Sequence, residues 1–132
     1  MPDILKLEQK IYNAVTKFTY TFPSVARENF MNGNCYWFAQ ILKERFSPWF
    51  RTDIAYNPIQ NHFCCVIYTA FKIYLFDASG AVAATDEWKL WSEYIAEEPL
   101  DAARVYIDCI WHLTEEEWNE LPMRYKETPW NL

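Results

Sequence analysis

The chain has 132 residues, 52% of them hydrophobic and 19% aromatic, and a formal net charge of -6. Such a length predicts one domain over residues 1–132, and such an apolar content excludes a disordered chain. Lys and Arg number 12 against 18 Asp and Glu, with no basic block, which excludes nucleic acid as a partner because phosphate binding needs a basic footprint.

No apolar run approaches the ~20 residues needed to span a bilayer, so no membrane partner is expected. Met1 to Lys10 carries Asp3, Lys6, Glu8 and Lys10, which does not read as a signal peptide. The four cysteines do not make a dense disulfide framework, and Cys64 and Cys65 are adjacent. Reduced thiols and a cytoplasmic location are the expectation.

Ile4, Leu7, Ile11, Ala14, Val15 and Phe18 recur at helical spacing and predict an amphipathic helix from Asp3 to Tyr20. Phe22-Pro23-Ser24 breaks it, and a short helix follows over Val25 to Phe30. Asn32-Gly33-Asn34 reads as a turn ending in a helix N-cap. The next helix runs from Cys35 to Phe46, with Cys35, Phe38, Ala39, Leu42 and Phe46 on one stripe, and Pro48 ends it. Trp37 falls opposite that stripe, so it must pack under another element or line a binding surface.

Trp49 to Asn57, His62 to Tyr68 and Phe71 to Asp77 read as strands, the last two forming a hairpin with its turn at Thr69-Ala70. Helices are expected from Thr85 onward. Trp88, Trp91 and Ile95 share one face. Pro99 opens another helix with Leu100, Ala103, Ile107 and Ile110 on one side. Val105, Ile107, Cys109 and Trp111 also alternate as a strand would; helix is the reading adopted. Thr114-x-x-Glu117 is a capping box before a short helix that stops at Pro122. The tail from Glu127 to Leu132 has no periodicity. Gly33 and Gly80 are the only glycines, and positive φ is expected where they stand.

Three residues carry chemistry. Cys35 opens its helix, where unpaired backbone N–H groups and the helix dipole favour a thiolate and can hold an oxyanion. A turn centred between Thr69 and Ala70 puts Tyr68 opposite Phe71 and His62 directly opposite Asp77, with Cβ atoms about 4.5–5.5 Å apart. A carboxylate there can orient an imidazole that takes a proton from a thiol. Taken singly, each residue has a plainer reading: a packed thiol, a surface histidine, a turn aspartate. His112 beside Trp111 reads as a helix-surface residue. Cysteines and histidines lack the spacing of a zinc site, and no phosphate loop or dinucleotide fingerprint is present, so no metal or cofactor is expected.

Cys35 at a helix start, then Asn61-His62-Phe63 on a strand, then Phe76-Asp77-Ala78-Ser79-Gly80 ending the next strand, resembles the papain-like cysteine protease superfamily. The order is most similar to its transglutaminase-like and arylamine acetyltransferase-like branches. That resemblance implies an α+β fold, a helix-start cysteine packed on a short antiparallel sheet, with extra C-terminal helices. It implies Cys35 as nucleophile, His62 as general base and Asp77 as orienting acid. Asn29, six residues before the cysteine, stands where such peptidases place an oxyanion-binding amide. The implied activity is cysteine-dependent hydrolysis or acyl transfer on a peptide, protein or small acyl substrate. The alternative is a binding protein, for example a host-interaction or inhibitor protein, that uses its aromatic surface with little catalysis.

Overall fold

The structure, a computed structural model, describes residues 2–20, 22, 24–31, 35–70 and 72–110. Helix α1 spans Pro2–Thr19, α2 Ser24–Met31 and α3 Cys35–Phe46. Strands β1 (Arg51–Asn57), β2 (His62–Tyr68), β3 (Ile73–Asp77), β4 (Gly80–Val82) and β5 (Lys89–Leu90) form one antiparallel sheet in the order β4-β3-β2-β1-β5. Helices α4 (Trp91–Glu97) and α5 (Pro99–Val105) follow, and α5 runs into a π-helical turn over Tyr106–Ile110. The fold is α+β.

Helix α3 forms where its stripe finds a partner. Cys35, Phe38, Ala39, Leu42 and Phe46 are all buried, and the helix packs on β1 and β2. Period-two alternation sends Ile54, Tyr56, Phe63, Cys65, Ile67 and Phe76 to that face, where they join Val15, Phe18, Phe30 and the α3 stripe in one core. Aromatic contacts fix the centre: the Phe63 ring lies 5.2 Å from Tyr36, 4.7 Å from Tyr56 and 4.9 Å from Trp91. Truncating such a fully buried ring costs about 3–5 kcal/mol. The opposite face carries Ala55, Cys64, Val66 and Leu75, with Tyr68, Val82, Trp88 and Leu90 packed around them.

Trp37 packs under a later element: its indole N–H donates to the Ile110 carbonyl at 2.9 Å. Among the described residues, no helix is long and apolar enough to cross a membrane.

Three expectations need correction. The short strands β4 and β5 fall where only turns and helices were expected; at three and two residues they are too short to show alternation. Of the side expected after Pro99, only Ile110 is buried: Leu100 is 89% exposed, Ile107 63% and Ala103 exposed, while Ala102, Val105 and Cys109 are buried. The β2–β3 turn is centred one residue further on than Thr69-Ala70. Thr69 N–H donates to Lys72 O at 2.9 Å, and Tyr68 pairs with Ile73. The expected turn at 32–34, with Gly33, lies outside the described residues. So do His112, the capping box at Thr114 and everything else in 111–132.

Candidate functional site

The register moves the candidate pair without separating it. With Tyr68 facing Ile73 and Cys65 facing Phe76, the ladder continued puts Asp77 across from Cys64, not across from His62. The shift is two residues, and a shift of two keeps a side chain on its face. His62 and Asp77 therefore sit on one face as diagonal neighbours, within reach for long side chains. The His62 Nε2–H donates to Asp77 Oδ2 at 2.8 Å. Both side chains are largely out of water, 12% and 7% exposed.

By register this face is the one turned away from α3. Cys35 and His62 are each the first residue of their element, α3 and β2. The Cys35 thiol lies near enough to the His62 ring to help raise its pKa. Since Nε2 is engaged by Asp77, Nδ1 is the nitrogen left for the thiol. Cys35 itself is buried.

Electrostatics bind the three groups. Burial alone would lower the His62 pKa; the Asp77 hydrogen bond, the Cys35 thiol and the Asp77 charge outweigh it and push the imidazole up to about 9. Burial alone would raise Asp77; the bonds from His62 and Ser79 outweigh that and hold its carboxyl below the ordinary carboxylate range. The other thiols are held neutral. Burial pushes Cys64, Cys65 and Cys109 up, and the neighbouring charges of Cys65, Asp77 and Cys35 add to the rise at Cys64.

Local chemistry holds His62 from the other side. Asn57 faces His62 across the β1–β2 ladder and is fully buried. Its Oδ1 accepts the N–H groups of Ile59 (3.0 Å) and Gln60 (3.1 Å), closing the loop that delivers Asn61 and His62. Asn61 takes φ 52°, a left-handed position that asparagine tolerates, and its Oδ1 accepts the Tyr56 hydroxyl. The Trp88 ring stands 6.1 Å from the His62 ring.

No family model, curated protein or solved structure matches this chain. The described residues hold no group of three or more His, Cys, Asp or Glu that could bind a metal ion.

Asn29 lies on α2, and its side chain is outside the described part of the structure. Sequence reasoning missed three neighbours of the site. Ser79 bonds Asp77, and a serine two residues after a strand-terminal aspartate is a recognisable turn signal. Asn57, before Pro58, had the same kind of signal. Trp88 had none, since nothing local to it points at His62.

Proposed function

We propose that this chain is a cysteine-dependent hydrolase or acyl transferase of the papain-like type, acting on an amide, ester or thioester. The observation that carries the reading is the His62 Nε2–Asp77 Oδ2 bond of 2.8 Å, made while the Cys35 thiol interacts with the same ring. Asp77 and the other neighbours of His62 hold the imidazole charged to about pH 9, so it has a proton to give to a leaving group.

In this reading Cys35 Sγ attacks the carbonyl carbon, and a C–S bond forms. The carbonyl electrons move onto oxygen, where N–H groups of the first turn of α3 stabilise them. The His62 imidazolium gives its proton to the leaving nitrogen, oxygen or sulfur as that bond to carbon breaks, leaving an acyl-enzyme. Water or an amine then attacks the acyl carbon, His62 takes the proton, and the Cys35 thiolate departs. Asp77 stays ionised throughout and keeps Nδ1 aimed at Cys35.

A thiol-directed activity probe tests this. It should label Cys35 ahead of Cys64, Cys65 and Cys109 in the native protein, and the signal should vanish in Cys35→Ala. Labelling undiminished in that variant would falsify the assignment of the nucleophile. A second reading, a binding protein with little catalysis, has one observation in its favour: Leu100 and Ile107 stand exposed on one side of the α5 segment. An inert Cys35 would favour that reading.

A further inference from the structure

The diagonal placement of the pair raises a question of aim. Residues directly opposite each other across a ladder meet without help. Diagonal neighbours are further apart, about 7–8 Å between backbones, and meet only if the side chains lean toward each other. Asp77 leans toward His62, and a carboxylate on a strand's last residue can turn freely about its own axis unless something holds it.

Ser79 holds it. The Ser79 backbone N–H donates to Asp77 Oδ1 at 2.8 Å, and the Ser79 hydroxyl donates to the same oxygen. Both donors use Oδ1, and that leaves Oδ2 for His62 Nε2. The backbone makes this possible. Asp77 pairs with Gly80 across the β3–β4 ladder, so Ala78 and Ser79 form a two-residue turn. Gly80 takes φ 115°, where a side chain would be strained. The turn folds Ser79 back over the carboxylate of Asp77.

We propose that Ser79 is a positioning residue of the candidate site: its two bonds fix the Asp77 carboxylate so that Oδ2 reaches diagonally to His62 and Nδ1 is left facing Cys35. A turn of this kind also serves simply to close a hairpin. The two roles differ in what they predict for His62. A hairpin clasp affects stability alone. A positioning residue affects the ring on β2, the strand next to β3. The rate arm of the test rests on the function proposed above; the ring arm does not.

The experiment compares wild type, Ser79→Ala and Ser79→Thr. Ser79→Ala keeps the backbone N–H bond and removes the hydroxyl; Ser79→Thr keeps both. The His62 ring is titrated by NMR, a clean measurement because the chain has two histidines. Its midpoint should fall by about half a pH unit or more in Ser79→Ala, because the carboxylate spends less time on Nε2. Ser79→Thr should restore it. In parallel, iodoacetamide modification of Cys35 should slow about threefold in Ser79→Ala and recover in Ser79→Thr.

A Ser79→Ala protein that melts earlier but titrates at the wild-type midpoint overturns the proposal, and so does a midpoint that rises. Were Ser79→Ala not to fold, Ser79→Cys, which exchanges the hydroxyl for a weaker thiol donor, would take its place: a lowered midpoint would support the proposal and a wild-type midpoint would overturn it. A shifted His62 midpoint with Cys35 no more reactive than the other thiols would leave Ser79 in place and remove the catalytic reading.

Discussion

Helices α3 and α5 meet the core differently. Along α3, Cys35, Phe38, Ala39, Leu42 and Phe46 are each at most 5% exposed, and the helix is packed against two strands. Along α5 and its π-helical turn, only Ala102, Val105, Cys109 and Ile110 are buried, and Leu100 is 89% exposed. Both segments carry apolar residues at helical spacing. In α3 one stripe dominates, so spacing also fixes the buried side. The later segment carries two, Leu100-Ala103-Ile107-Ile110 and Ala102-Val105-Cys109, and each satisfies the same period, though only Ile110 of the first is buried. Amphipathic spacing announces a helix, but where two stripes compete the neighbour decides between them.

The sharpest way to break this contrast is at the site that α3 carries. Cys35→Ala should lower turnover at least about a thousandfold, and His62→Ala should match it, because groups acting as a unit do not add. Asp77→Asn should retain more activity than either, and the double variant Cys35→Ala/His62→Ala should be no worse than the singles. Stability should fall by only about 1 kcal/mol in Cys35→Ala. Unfolding curves run beside probe labelling check both halves. Equal labelling of Cys35→Ala and wild type would remove Cys35 from the mechanism.

Next in size is the core beneath the site. Phe63→Ala should cost about 3–5 kcal/mol, since the ring is fully buried among Tyr36, Tyr56 and Trp91. Denaturant titration measures it. A cost below about 1 kcal/mol would mean that this core repacks freely.

The His62–Asp77 pair gives stability a pH dependence. The folded His62 keeps its proton up to about pH 9, against an ordinary value of 6.5. Its contribution is complete below 6.5 and is lost as the pH rises through 9. Asp77 acts in the other direction: its lowered folded value makes its contribution present at neutral pH and lost on acidification below the ordinary carboxylate range. Between pH 6.5 and 9 wild type should therefore lose on the order of 1–3 kcal/mol that His62→Gln does not lose. Parallel unfolding curves for the two proteins would contradict this.

The smallest effect completes the comparison. Leu100→Ala should change stability by no more than about 0.5 kcal/mol, whereas Val105→Ala should cost about 1–3 kcal/mol, although both lie on the same helix. Equal losses would mean that Leu100 is covered in solution.

Local order was largely legible in the sequence. The bounds of α3 and β2 follow from apolar spacing, a cysteine-led stripe and β-branched runs, all local properties of the chain. Their agreement with the observed elements reflects strong periodicity over 12 and 7 residues. That His62 and Asp77 share a face was legible too, because face depends only on whether a register shift is odd or even.

Their exact partnership was not legible. It depended on where a turn without Asn-Gly chemistry would close, and the Thr69–Lys72 bonds placed it one residue later. The tertiary structure alone also brought Cys35 to His62, 27 positions away in the chain, and stood Trp88 beside the ring. It selected Val105 over Leu100 as well. Periodicity and turn chemistry act between residues a few positions apart, so a sequence can state them. Which of two equivalent faces is buried, and which diagonal a carboxylate takes, depend on groups distant in the chain that become neighbours only once the layers have packed.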